Sequence, residues 1–103
     1  MRQFDIVENL NPITRRRYPF AVVLQHDQFQ HLPLVTVAPL TLATTVLASS
    51  RLHPALVLND RLFVMVAEEL AAVVRSSVGR VVGTAEASRY EIVAALDLLF
   101  TGV

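Results

Sequence analysis

The chain has no cysteine. Disulfides, a cysteine-based zinc site and a thiol nucleophile are thereby excluded, and a cytoplasmic setting is expected. Lysine is absent too: all nine basic residues are arginines, and nine acids bring the formal net charge to zero. A sequence-independent nucleic-acid binder needs excess positive charge, so that class is disfavoured. Arginine holds bidentate pairs better than lysine, which suits interfaces. No long hydrophobic run is present. The most apolar stretch, residues 32–48, is interrupted by two prolines and four threonines and is too short to span a bilayer. The opening Met-Arg-Gln-Phe-Asp carries no apolar signal core. There is no Gly-rich phosphate loop, no HExxH, no GxSxG and no internal repeat.

What is present is 103 residues, read as one domain over 1–103, with 53% hydrophobic residues. A domain this small buries only about two-thirds of its unfolded surface. Its surplus of apolar residues is therefore expected partly at the surface, in an oligomer interface, with a homodimer as the default.

Periodicity gives short strands and one helix. Residues 3–8 alternate, with Phe4 and Ile6 inward. A polar connection over 9–17 holds the turn starter Asn11-Pro12 and the triplet Arg15, Arg16, Arg17. Residues 18–25 form a second strand, apolar on both faces and so central. A loop follows over 26–31. A third strand over 34–38 is expected to end at Pro39. Residues 40–50 fit either a short helix or an irregular excursion. The clearest feature is a hairpin, 55–58 and 61–66 around Asn59-Asp60, two residues that tolerate positive φ. Residues 68–72 fit a helical turn, and 73–82 a strand pair or one strand with a bulge at Gly79. The tail, 88–103, reads as a helix with a Ser88–Glu91 capping box. Its apolar stripe is Ile92, Leu96, Leu99 and Val103, widened by Ala95 and Phe100. The order implies a mainly β fold, a small antiparallel barrel or sheet with a C-terminal α-helix packed on it.

Residues able to carry chemistry are few. His26, Asp27 and His31 lie close in sequence, but nothing completes a metal-ligand set at standard spacing. With His53 they leave a general acid–base pair formally open, though catalysis needs convergence in space. Glu68-Glu69 reads as a solvated acidic pair. The arginine triplet is either a solvated loop or a landing place for an anionic partner or phosphate. No cofactor is implied.

The residues also carry a resemblance. Leu52-His53-Pro54-Ala55-Leu56-Val57-Leu58-Asn59-Asp60, followed by Phe63, Met65 and Glu69-Leu70-Ala71, resembles the central hairpin of the CcdB toxins. Gln3-Phe4, Val37-Ala38-Pro39-Leu40 and the ending Ile92, Ala95, Leu98, Phe100, Gly102, Val103 are similar as well, over nearly the whole chain. The resemblance implies an SH3-like barrel with a C-terminal helix, of the CcdB/Kid/MazF type, forming a homodimer. It implies a non-enzymatic toxin of a plasmid-type toxin–antitoxin module. Such a toxin binds the A subunit of DNA gyrase and traps the enzyme on cleaved DNA. Its antitoxin, of the CcdA type, folds on contact, and the pair together binds operator DNA and represses its operon. The gyrase contacts of the family map onto Thr101, Gly102 and Val103. Thr101 stands where the family has Trp, whose area and cation–π contact are together worth on the order of 2 kcal/mol or more. Weakened poisoning is therefore expected. Arg15, Arg16 and Arg17 are the expected landing place for antitoxin carboxylates. The alternatives are a MazF/Kid-like mRNA endoribonuclease using an arginine with an acid or histidine, and a decayed, non-toxic antitoxin-binding module.

Overall fold

The computed structural model describes residues 1–44 and 50–103. The remainder of the ambiguous 40–50 stretch lies outside them. Strands β1 (Asp5–Asn9), β2 (Phe20–Val23), β3 (Leu34–Leu42), β4 (Ala55–Leu58), β5 (Arg61–Met65), β6 (Ala71–Val74) and β7 (Val78–Thr84) precede helix α1 (Arg89–Thr101). They form one antiparallel sheet in the order β4-β5-β3-β2-β1-β7, with β6 also paired to β3. The mainly β, SH3-like architecture with a C-terminal helix is thus the one observed.

The sheet is organised by β3, whose nine residues run straight through Pro39 rather than ending there. One edge of β3 pairs with β2. The other pairs with β6 over Leu34–Val37 and with β5 over Leu40–Leu42. Pro39 sits at the junction of these two pairings. Its carbonyl accepts the Val66 N–H at 2.9 Å, so its nitrogen faces the same edge. The missing donor falls where the ladder already breaks, and the proline costs no bond to β2. The chain crosses this gap through a 3-10 turn, Ala67–Glu69, before returning as β6.

The β4–β5 hairpin forms as expected. Asn59 and Asp60 have φ of 52° and 62°, which matches the right-handed twist of the strands. β4 and β7 lie at the two ends of the strand order and approach each other through side chains. A Cβ placed on Gly83 of β7 would stand 2.7 Å from Leu58 Cδ1 of β4. The expected strand pair over 73–82 resolves into β6, a 3-10 turn at Arg75–Ser77, and β7. The β1–β7 register slips between Val7 and Asn9, opposite Val81 to Val78, a stretch holding Gly79. The Glu8 carboxylate accepts the Arg80 N–H within that slip.

Two apolar clusters result. The larger joins Ile6, Val22, Leu40, Phe63 and Met65 to Ile92 and Ala95 of α1. The smaller occupies the other face: Val7, Ala21, Val23, Val35 and Val37, with Val73 and Val78. β1 and β2 are therefore covered on both sides, which explains the imperfect alternation of β1: its successive residues Ile6 and Val7 are both buried.

The helix start differs from the capping-box expectation. Ser88 ends a 3-10 turn (Glu86–Ser88), has φ −105° and ψ 18°, and its side chain caps nothing. A capping side chain reaches the helix N–H groups from an extended residue, and the preceding turn denies Ser88 that conformation. The helix is anchored instead by Ala85 N–H donating to the Phe4 carbonyl at 2.7 Å, and by the Arg89 guanidinium 5.4 Å from the Phe4 ring centroid. Phe4 holds φ 68°, a conformation that costs an L-residue roughly 1–2 kcal/mol. That strain is offset by its buried ring and by its N–H bond to the Val23 carbonyl.

Candidate functional site

Two surfaces hold the residues singled out from sequence. The first is the tip of α1. Ile92 and Ala95 are buried and Leu96 packs against the core. The buried stripe ends before the tip, however: Phe100 is 71% and Val103 80% exposed. Spacing alone places both on the packed face. Leu98 and Leu99 are still half-buried, but from Phe100 onward every residue is exposed, so the tip projects. Thr101 Oγ1 donates back to the Asp97 carbonyl at 2.6 Å. Gly102 closes the helix in the left-handed region, φ 78°, with its N–H on the Leu98 carbonyl at 2.9 Å. A Cβ there would touch nothing, so glycine is favoured by its backbone angle alone. Thr101, Gly102 and Val103 all lie in solvent.

The second surface is the 9–18 loop. It is built rather than loose. Asn9 Nδ2 donates to Thr14 Oγ1 at 3.0 Å and to the Tyr18 carbonyl at 2.7 Å. Asn9 Oδ1 accepts the Asn11 N–H, and Asn11 Oδ1 accepts the Ile13 N–H, two Asx turns in succession. Tyr18 N–H closes the loop on the Thr14 carbonyl at 2.8 Å. Arg15, Arg16 and Arg17 are exposed on this platform; none forms an ion pair among the described residues. The Arg17 guanidinium sits 5.2 Å from the Tyr18 ring centroid.

Beneath the loop is a groove of about 220 Å³. Its floor is apolar, made by Phe20, Ala21, Val37, Ala71, Val73 and Val78. Asn9, Asn11, Thr14, Tyr18, Glu69 and Ser77 give it a polar rim. The Tyr18 hydroxyl donates to the Glu69 carboxylate. Burial, then the hydrogen bond to Glu69 and that residue's negative charge, push the phenol above its ordinary range. Glu8 is held low, first by the Arg80 N–H and then by the Arg80 guanidinium.

The acidic pair is not merely solvated. Glu69 is occupied by Tyr18. Glu68 meets His53 Nε2 at 2.8 and 3.0 Å, tying the segment before β4 to the 3-10 turn. Burial acts to raise the Glu68 carboxyl, but the His53 hydrogen bond and a backbone N–H bring it below its ordinary value. His26 and His31 flank a 3-10 turn, Asp27–Phe29, where the His26 Nδ1 accepts the Gln28 N–H. No histidine lines the groove under the arginine loop among the described residues. Among them, too, no group of His, Asp or Glu is placed to hold a metal ion, and no helix is long and apolar enough to cross a membrane.

The arginine triplet is visible in sequence; the groove is not. Its lining comes from the 9–18 loop, β2, β3, β6 and the start of β7, and nothing local joins those segments. The repeated Asn at 9 and 11 is the one signal a sequence reading could have used.

Comparison with known proteins agrees with this architecture. A solved structure described as the crystal structure of an Mtb toxin superposes with a TM-score of 0.73. It is 16% identical and covers 92% of this chain and 99% of its own; the likeness is one of fold. A search of the curated proteins found no match. The family model for the CcdB protein matches residues 3–102. With that match spanning the first strand, the arginine loop, the hairpin and the helix tip alike, the chain belongs to the CcdB family.

Proposed function

We propose that residues 1–103 act as a single toxin domain that works by binding, engaging the A subunit of DNA gyrase through Thr101, Gly102 and Val103 and trapping gyrase on cleaved DNA. Family membership makes the chain a toxin of a toxin–antitoxin system; the gyrase target and the contact residues are our reading. The observation that carries it is the projecting tip, where a left-handed Gly102 ends the helix and leaves Val103 80% exposed. An exposed apolar side chain beyond the cap of a docked helix is what a partner needs to grip.

Thr101 weakens this contact relative to a Trp, so the deciding assay sets the native chain beside Thr101→Trp. Each is incubated with gyrase and supercoiled plasmid. Linear cleaved DNA, more of it with Thr101→Trp, is the expected result. No cleavage from either protein overturns the reading and leaves an antitoxin-binding module without toxicity. Discrete fragments from a long RNA would instead mark an endoribonuclease.

The second partner is a CcdA-like antitoxin with an acidic, disordered segment, received by Arg15, Arg16 and Arg17. Exposed arginines without an ion pair, on a hydrogen-bonded loop, support this, since charge-assisted bonds need donors not already taken. Replacing all three with Ala is expected to weaken antitoxin binding and flatten its salt dependence; unchanged affinity at low and high salt removes the idea. The toxin is read as a cytoplasmic homodimer that meets operator DNA only through the antitoxin complex, and sedimentation of the purified chain tests the dimer.

A further inference from the structure

We infer that the groove under the arginine loop is a side-chain pocket for an extended acidic peptide, its floor taking one large apolar side chain and Arg15, Arg16 and Arg17 taking the flanking carboxylates. The inference rests on the antitoxin reading for the identity of that peptide, and adds to it where and how the segment is anchored.

The volume fits such an occupant. An apolar cavity of about 150 Å³ accepts benzene, and this groove offers about 220 Å³ over an apolar floor. The pocket is also preformed. The Asn9 and Asn11 side-chain bonds fix the loop that walls it, so binding need not order that wall.

Charge selects an acidic ligand. Thr14 and Tyr18, both lining the groove, bracket the three arginines in sequence. Two acids lie near them. Glu69 is engaged by the Tyr18 hydroxyl and Glu8 by Arg80. The charge left without an ion pair on the loop that walls the groove is therefore positive.

Backbone geometry selects an extended peptide. β6 pairs with β3 alone, so its other edge carries no strand among the described residues. Ala71 and Val73 of β6 line the groove, while Ala72 and Val74 alternate away from it. A strand added at this edge gains main-chain hydrogen bonds and drops every second side chain toward the floor.

The test uses the purified full chain and a short synthetic peptide of alternating Glu and Thr with one central phenylalanine. An otherwise identical peptide carries alanine there. Affinities are read at low and high salt, and methyl shifts of Ala71, Val73 and Val78 are followed by NMR. The phenylalanine peptide is expected to bind roughly tenfold or more tightly than its twin, the weight of burying one aromatic side chain. The shifts are expected at the groove methyls. Ala71→Trp, at an exposed position of the groove floor, is expected to erase the difference between the peptides and to keep the salt-dependent remainder. Equal binding of the two peptides to the native chain, or shifts elsewhere, overturns the groove while the antitoxin reading of the loop stands. Unchanged binding by the Arg15→Ala, Arg16→Ala, Arg17→Ala variant overturns the arginine half of the inference and the antitoxin reading together.

Discussion

The two surfaces proposed for contact are built in opposite ways. The helix tip is held at a distance: its last residues touch little, and their position is set about two to three turns back by Ile92 and Ala95 in the larger core cluster. The arginine loop is held on the spot, by Asn9, Asn11 and Thr14 over the smaller cluster. A projecting tip suits a partner that closes around it. A fixed loop over a groove suits a flexible partner that lies down on it. Changes to one surface should therefore leave the other largely intact.

The largest effect is expected from Ile92→Ala. Removing a fully buried aliphatic side chain costs about 2–5 kcal/mol, read by chemical denaturation, and loosens the rod that carries the tip. Gyrase trapping should fall further than antitoxin binding per folded molecule; an equal fall in both denies the separation. Thr101→Trp comes next, with a gain on the order of 2 kcal/mol in gyrase affinity and no change in antitoxin affinity. Asn9→Ala acts on the other side. It removes the bonds to Thr14 and Tyr18, at about 1–2 kcal/mol of stability. It should weaken antitoxin binding and leave plasmid cleavage by gyrase as it was.

The smallest effect is a pH dependence. The carboxyl of Glu8 lies below its ordinary value of 4.5 because Arg80 favours its ionised form. Its contribution to stability is present above that ordinary value and is lost as pH falls through the lower folded one. Glu8→Gln is expected to flatten that part of the acid limb in thermal melts taken across acidic pH. An unchanged acid limb would assign the loss to other carboxylates, such as Asp27, which the Gln3 N–H holds low.

Much of this is legible along the chain. The Asn59-Asp60 turn announces its hairpin because the turn and both strands are local. Phe4, Ile6 and the run in β2 mark the core, since burial on both faces leaves unbroken apolar residues. Pro39 misleads, because a proline ends a strand only where its N–H is needed, and that depends on the neighbouring strands. Ser88 and Glu91 mislead because a capping box needs an extended first residue, and the contact of Ala85 with Phe4 accompanies a tighter turn.

The order of residues was enough to set the family, through motifs spread along the chain, and the hairpin, the buried faces and the C-terminal helix, because each of these three depends on neighbours a few positions apart. Only the packed molecule decided that Phe100 and Val103 leave the buried stripe, that Glu68 and Glu69 each acquire a partner, and that separate segments enclose a groove beside the arginines. Those outcomes depend on which turns of the helix meet the core and which strands share an edge, relations that no local pattern records.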